Sequence, residues 1–226
     1  MIGVGAGDPE YMTVQAVRAL NALDVLYVLD KGDELTALRR ALVNRFREAP
    51  LREVTIEDPP RGRGAQAVAA WRAERVRLIS EALGPGVGGL LAWGDPTLYD
   101  SLIDVLADVG VPFSVIPGIS AVSALAARHR VMLNRVGRSL LVTTGRRLRS
   151  DGWPAGVDDV VVMLDFEQAF LSVEADWIYW GAYLGTPDEI LLSGALAEVR
   201  EEIARVRSAA RERKGWMFDT YLLRRG

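Results

Sequence analysis

The first half of the chain alternates short runs of apolar residues with longer segments in which apolar residues recur every three or four positions. The runs are typical of buried strands and the longer segments of amphipathic helices. Strands are predicted at residues 1–4, 25–29, 53–56, 87–93 and 112–116. Helices are predicted at residues 13–23, 34–46, 65–83 and 99–109. Strands that alternate with helices in this way favour a mostly parallel sheet.

The second half has shorter loops and a less regular alternation. Helices are predicted at residues 121–128 and 196–213, and strands at 140–144, 160–164, 177–184 and 216–223. This order favours a mixed sheet with antiparallel pairs. The break at residues 117–120 (PGIS) divides the two patterns. We therefore expect an α/β protein of two α/β domains, residues 1–117 and 118–226, with a mostly parallel N-terminal sheet and a mixed C-terminal sheet.

Composition narrows the class of protein. Half of the 226 residues are apolar and a quarter are charged, as in ordinary globular proteins. The net charge of −3 makes nucleic acid an unlikely partner. With no cysteine and a single histidine, disulfides, thiolate sites and histidine-rich metal cages are excluded, so no metal is expected. No apolar stretch approaches the roughly 20 residues that span a bilayer, and no signal peptide is visible. We expect a cytoplasmic protein that does not bind membranes.

Two acidic glycine turns follow predicted strands, at residues 7–9 and 94–96, both Gly-Asp-Pro. The loop at residues 3–9 lacks a dinucleotide fingerprint, because Asp8 stands where a glycine is needed. An acidic turn also repels a pyrophosphate, so a cationic or neutral ligand suits it better. The glycines alone are equally explained as permitting tight turns. If the two strands are adjacent, however, both turns lie at one rim of the sheet, where open α/β sheets bind ligands.

Other polar positions have competing interpretations. Thr13 and Ser120 are each expected to cap the following helix. Three arginines, including Arg146 and Arg147, follow the strand at 140–144 and suit carboxylates or phosphates, although solvated surface arginines are nearly as plausible.

His129 lies between two arginines at a predicted helix end. Compensation of the helix dipole explains it more simply than proton transfer does. Asp188 and Glu189 are interpreted as solvated charges that begin a turn or helix, and not as catalytic groups.

Four segments, in this order and approximate spacing, resemble the tetrapyrrole (precorrin) methyltransferase family, which transfers a methyl group from S-adenosylmethionine to a ring carbon. They are residues 3–9 (GVGAGDP), 94–99 (GDPTLY), 117–121 (PGISA) and 185–189 (GTPDE). Further segments are similar to those of the family members that act in cobalamin biosynthesis, where they methylate C1 of precorrin-5 and release the extruded carbon as acetate. They are residues 14–21, 28–32, 125–130, 143–147 and 179–185.

The resemblance implies that S-adenosylmethionine lies folded in a cleft between the two domains, held largely by backbone groups. The implied cofactor residues are Pro9, Gly94, Asp95, Thr97, Leu98, Tyr99, Ser120, Ala121, Leu164 and Leu184. The implied contacts to the tetrapyrrole substrate are Asp8, His129, Arg146 and Arg147. No general base is assigned, since Asp8, Asp95 and His129 all qualify. Relatives are commonly homodimers, and the first strand is expected to be truncated because only Met1 and Ile2 precede Gly3.

Three alternatives stay open at this point. The chain could act on another precorrin or on uroporphyrinogen, or it could be an inactive relative that only binds S-adenosylmethionine. A nicotinamide oxidoreductase is disfavoured by Asp8.

Overall fold

The computed structural model describes residues 1–30, 33–62 and 64–226, with the backbone alone for residues 33–35. Lys31, Gly32 and Arg63 lie outside the described residues, and with them part of the segment at 28–32. Contacts between Cα atoms divide the chain into two units. The N-terminal unit contains Met1–Gly5 and Pro9–Ile119, and the C-terminal unit contains Ala6–Asp8 and Ser120–Gly226. The boundary expected between 117 and 118 stays a prediction.

The N-terminal unit is built on a four-stranded sheet in which all neighbouring strands run parallel. Its strands are β1 (Ile2–Gly3), β2 (Val25–Asp30), β3 (Arg52–Glu57) and β4 (Gly88–Ala92), in the order β1-β4-β2-β3. Its helices are α1 (Val14–Asn21), α2 (Asp33–Phe46), α3 (Ala65–Ala82) and α4 (Leu102–Val109). A 3-10 turn covers Pro9–Tyr11. The predicted parallel sheet is confirmed.

The sheet is apolar on both faces, as parallel sheets covered by helices are. Alternate residues of β2 contribute to two separate cores. Tyr27 packs with Ile79 of α3 and Val105 of α4, and its neighbour Leu26 packs with Leu20 of α1 on the other face. The continuous apolar run that predicted this strand therefore reflects burial on both sides.

Two predictions for this unit are wrong. Residues 112–116 form no regular strand, and only Ile116 makes a parallel bridge with Ile2. Pro112 has no amide hydrogen to donate, and β1 is only two residues long. Residues 112–116 therefore have too short a neighbouring strand to form a regular ladder of hydrogen bonds. The helix expected from residue 99 begins at Leu102 instead, because Tyr99 has a left-handed φ of 58°.

The C-terminal unit contains a mixed five-stranded sheet in the order β5-β6-β9-β7-β8. Its strands are β5 (Leu140–Thr144), β6 (Asp159–Met163), β7 (Trp177–Ala182), β8 (Ile190–Ala195) and β9 (Asp219–Arg224). Strands β5 and β6 are parallel and the other pairs are antiparallel, so the predicted mixed sheet is confirmed. Its helices are α5 (Ala121–His129), α6 (Gly145–Asp151) and α7 (Leu196–Lys214). Strand β8 and helix α6 were not predicted from the sequence.

A buried ion pair joins α7 to β9. Arg207 Nε donates to Asp219 Oδ2 at 2.8 Å. Both side chains are buried, with exposed fractions of 5% for Arg207 and 4% for Asp219. Trp180 Nε1 donates to the same carboxylate oxygen at 3.0 Å. Burial raises the pKa of Asp219, and the hydrogen bond from Arg207 opposes that rise. The carboxylate depends on Arg207 to stay charged inside the core.

No helix in the described part of the chain combines the length and apolar character needed to cross a bilayer.

We expect Arg207→Met to lower the free energy of unfolding by about 3–5 kcal/mol, because it leaves a buried carboxylate without its cation. Urea unfolding at pH 7 measures this loss. Arg77→Met is the control, since Arg77 is ion-paired to Glu74 and Glu81 on the exposed side of α3 and its loss should change stability little. Equal stability of the two variants would contradict the role given to the buried pair.

Candidate functional site

Three glycine-containing segments of the N-terminal unit meet backbone to backbone. Gly5 and Gly94 exchange hydrogen bonds, with N–O distances of 3.2 and 2.8 Å. A Cβ atom on Gly118 would lie 2.2 Å from the carbonyl oxygen of Gly94, and one on Gly3 would lie 2.6 Å from the nitrogen of Gly118. No side chain larger than hydrogen fits at these contacts. The loops after β1 and β4 therefore lie side by side, with the Pro-Gly corner packed against them.

The turn after β4 is shaped by its own acidic side chain. Asp95 Oδ1 accepts hydrogen bonds from Thr97 N at 2.7 Å and from Thr97 Oγ1 at 2.6 Å. Leu98 N donates to the Asp95 carbonyl at 3.1 Å, which closes the turn. Tyr99 follows in the left-handed region with its side chain half exposed, and partial burial raises the pKa of its hydroxyl. The Asp95 carboxylate thus organises the loop, and the exposed surface comes from Thr97 and Tyr99.

Pro9 opens the 3-10 turn, where its carbonyl accepts from Met12 N at 3.1 Å. The turn packs closely on the glycine loop, since a Cβ on Gly5 would lie 2.4 Å from Tyr11 Cβ. Pro9 is therefore held beside the loop that contacts Gly94.

In the C-terminal unit, two strained residues follow strands that run in the same direction. Strands β6 and β7 are both antiparallel to β9, so their carboxyl ends lie at one edge of the sheet. Leu164 follows β6 with a φ of 53°, and Tyr183 follows β7 with a φ of 50°. Such conformations cost about 1–3 kcal/mol each and cluster at functional sites. Leu164 is exposed, whereas Leu184, next to Tyr183, is buried.

The segment Ala6–Asp8 belongs to this unit and contacts the turn after β7. A Cβ atom on Gly7 would lie only 2.2 Å from the carbonyl oxygen of Leu184. Asp8, which is half buried, is thereby held near this turn.

Ser120 caps α5 as predicted: its Oγ accepts a hydrogen bond from Ser123 N at 3.1 Å. Thr13 caps α1 in the same way, accepting from Ala16 N at 3.0 Å. Ala121 is the first residue of α5, so the Ser120-Ala121 peptide stands at a helix N-terminus.

His129 ends α5 and contacts β7. Its Nε2 lies 3.0 Å from the Trp180 carbonyl, to which it donates, and its ring meets the Tyr179 ring edge-on. Burial lowers the pKa of His129, while the carbonyl contact and the charge of Glu189 oppose that shift. Burial therefore favours the neutral imidazole, and the expected role in compensating the helix dipole stays a prediction.

Glu189 is not a solvated charge, contrary to the sequence interpretation. Its side chain is only 11% exposed, pairs with Arg128, and accepts a hydrogen bond from Gly185 N at 2.8 Å. The carboxylate fixes the turn that follows Tyr183 and Leu184. Sequence reasoning missed this because the partner lies 61 residues away.

Arg146 and Arg147 follow strand β5 as expected, and they lie in the first turn of α6 because Thr144 caps a helix there. Both are exposed, and Arg147 pairs with Asp151 one turn later at 2.9 Å. Among the described residues, Arg146 has no ionic partner.

Asp165 is a buried residue that the sequence did not single out. Its carboxylate accepts from Ala169 N at 2.7 Å and from the Tyr221 hydroxyl at 2.6 Å. A Cβ on Gly145 would lie 2.1 Å from its Oδ1. Asp165 therefore anchors the segment after Leu164 beside the start of α6. Its only signal in the sequence is an acidic residue directly after an apolar strand. No three potential metal ligands come together among residues 1–30, 33–62 and 64–226.

Comparison with known proteins identifies the chemistry that this fold serves. Residues 1–200 match the model of the Tetrapyrrole (Corrin/Porphyrin) Methylases. The chain is 44% identical to a precorrin-6A synthase [deacetylating] from Sinorhizobium sp, over 100% of this chain and 94% of that protein.

Solved structures agree with this assignment. A cobalamin synthesis related protein (CobF) from Corynebacterium diphtheriae has a TM-score of 0.82 at 34% identity, covering 99% of this chain and 96% of that one. A uroporphyrin-III C-methyl transferase from Thermus thermophilus, complexed with S-adenosyl homocysteine, has a TM-score of 0.59 at 22% identity. It covers 98% of this chain and 94% of its own, and at that identity it shows the fold alone. The chain therefore belongs to the tetrapyrrole methylase family.

Proposed function

We propose that this chain is an S-adenosylmethionine-dependent methyltransferase that methylates precorrin-5 at C1 and releases acetate, giving precorrin-6A in cobalamin biosynthesis. The observation that carries the proposal is the 44% identity to a precorrin-6A synthase along the whole chain. The two Gly-Asp-Pro turns and the Pro-Gly corner that suggested the family supply the residues proposed to act.

The glycine contacts of the N-terminal unit fit an adenosyl cofactor held by backbone groups. Where Gly118 packs against Gly94, the two backbones approach too closely for any side chain, and this fixes the path of the loop that is proposed to hold the ligand. The proposed contacts in this unit are Pro9, Gly94, Asp95, Thr97, Leu98 and Tyr99. Those in the C-terminal unit are Ser120, Ala121, Leu164 and Leu184.

When bound, S-adenosylmethionine supplies a methyl group that its sulfonium charge has already activated. The residues of the chain then need mainly to position the reactants, which is worth roughly 7–11 kcal/mol in favourable cases. Asp95, Glu189 and Asp165 do this indirectly, since each carboxylate holds a turn in shape. This explains why no catalytic triad is visible in the sequence.

The tetrapyrrole carries acetate and propionate groups, and Arg146 and Arg147 are proposed to bind them. Their exposure on α6 supports this, because Arg147 has only an exposed ion pair to give up. Asp8 and His129 are the further proposed substrate contacts. With its Nε2 hydrogen on the Trp180 carbonyl, neutral His129 presents Nδ1 as an acceptor.

The proposal also covers cellular location and assembly. By resemblance to the family we propose a homodimer, and from composition and charge we propose a cytoplasmic chain that requires no metal and binds no nucleic acid.

Incubation of the chain with precorrin-5 and methyl-labelled S-adenosylmethionine should give one labelled methyl group per product and one equivalent of acetate. Mass spectrometry of the product and an acetate assay measure both. A heat-treated chain is the control. Methylation without acetate would contradict the specific reaction and leave the family unchanged. In a parallel incubation, labelling of uroporphyrinogen but not of precorrin-5 would favour the alternative of a uroporphyrinogen methyltransferase.

Gly118→Ala should weaken binding of S-adenosylhomocysteine by about tenfold or more, because the new methyl group would push the Gly94 loop out of place. Isothermal titration calorimetry measures the affinity. Gly84→Ala is the matched control, since a Cβ there meets nothing within 4 Å and Gly84 has no left-handed φ. Unchanged affinity in Gly118→Ala would remove this loop from the proposed cofactor site.

His129 should titrate below its ordinary pKa of about 6.5, because burial disfavours the imidazolium. It is the only histidine in the chain, so its imidazole NMR resonances are unambiguous. The depressed pKa stabilises the fold above pH 6.5 and that contribution is lost as the pH falls through the folded value. A measured pKa above 6.5 would contradict the neutral imidazole.

A further inference from the structure

The N-terminal sheet opens between β2 and β4 before either strand ends. Strand β4 pairs with β2 only as far as Tyr27 and Leu90, and its next residues pair with β1. Strand β2 continues to Asp30 along β3. A crevice at the carboxyl ends of parallel strands is where open α/β sheets bind ligands.

A cavity lies at this opening, entirely within the N-terminal unit. Residues 26–29 of β2 and residues 90–91 of β4 form its floor, and Thr36 and Arg39 of α2 border it together with Asp100. The cavity has a volume of about 20 Å³, which is roughly room for one water-sized group. The cavity therefore suits the end of a side chain and excludes a macrocycle.

Arg39 borders this cavity without a hydrogen-bond partner for its buried Nε among the described residues. Burial lowers the pKa of its guanidinium, and the charges of Asp100 and Asp58 oppose that shift. A buried donor that bonds to nothing is costly and rare in native proteins. Arg40 also lines the cavity but differs from Arg39, since Arg40 is exposed and pairs with Glu53 at 3.2 Å.

The two carboxylates whose charges act on Arg39 already accept hydrogen bonds from other groups. Asp58 accepts two hydrogen bonds from the buried guanidinium of Arg75, at 2.6 and 3.0 Å. Asp100 Oδ1 accepts from Leu102 N at 2.9 Å at the start of α4. The charges of Asp100 and Asp58 favour the protonated guanidinium, and its Nε hydrogen stays available to a ligand.

From this arrangement we infer that Arg39 binds one acetate or propionate carboxylate of the tetrapyrrole, with that side chain entering the cavity between β2 and β4. The inference rests on the proposed function, because the substrate class supplies the carboxylates. A planar guanidinium suits this ligand, since it can donate two parallel hydrogen bonds to one carboxylate. Arg39 is then a substrate-binding residue additional to the proposed Arg146 and Arg147.

The test compares wild type, Arg39→Gln and Arg39→Lys in binding of uroporphyrin III, a stable tetrapyrrole with acetate and propionate groups, by fluorescence titration. Arg39→Gln should bind about tenfold or more weakly, as expected for loss of a charged hydrogen bond. Arg39→Lys should recover part of the loss, because it keeps the charge without the planar fork. The KM for precorrin-5 should rise in the same order, with kcat little changed.

Two measurements separate binding from folding. Affinity for S-adenosylhomocysteine and the thermal unfolding midpoint should match wild type in both variants. Arg45→Gln is the charge-matched control, since Arg45 is an exposed residue of the same helix with a long 3.5 Å contact to Glu10.

Unchanged uroporphyrin III binding and an unchanged KM in Arg39→Gln would overturn the inference. A parallel loss of S-adenosylhomocysteine binding or of thermal stability would overturn it too, by showing a structural role. If wild type does not methylate precorrin-5 but Arg39→Gln still loses uroporphyrin III binding, the proposed reaction fails and the carboxylate site stands.

Discussion

The close approach of backbone to backbone at Gly3, Gly94 and Gly118 is the constraint on which the proposed site depends. These residues are far apart in the chain, yet two of the contacts leave less than 3 Å for an added Cβ. Main-chain groups cannot be exchanged by mutation in the way side chains can. The site is therefore defined by where glycine is obligatory, and the chemistry it offers is that of peptide N–H and C=O groups.

The C-terminal unit reaches a comparable result by a different route. There, non-glycine residues occupy strained left-handed positions, and buried carboxylates hold the neighbouring turns. Glu189 fixes the turn after β7, and Asp165 fixes the segment after β6. Strain of this kind persists only where the surroundings determine the backbone fully. Both units thus place rigid turns at the carboxyl ends of strands, as positioning catalysis by methyl transfer requires.

Local signals explain which parts of the fold were predictable from the sequence. Thr13 and Ser120 cap their helices because the capping hydrogen bond spans only three residues. Apolar periodicity likewise located most strands and helices to within a few residues. The fold class and the family were predictable for this reason, the latter from four short motifs taken together.

Interactions between distant residues explain what was missed. Nothing near residues 112–116 shows that β1 is too short to pair with them. Glu189 looks solvated until Arg128 is brought beside it, and Arg39 looks like any surface arginine of an amphipathic helix. The burial of its Nε is visible only in the folded chain, beside the point where β2 and β4 separate. The spacing of charged residues along a helix does not show whether a residue distant in the sequence forms an ion pair with them.

The strand order of the second sheet has a consequence for synthesis of the protein. Strand β9, the last in the chain, lies in the middle of that sheet between β6 and β7. Its predecessors have no complete set of neighbours while the ribosome is still translating α7. The sheet can close only after residue 224 has left the exit tunnel, whereas the N-terminal sheet has all four strands by residue 92, so the C-terminal unit completes its sheet later during synthesis.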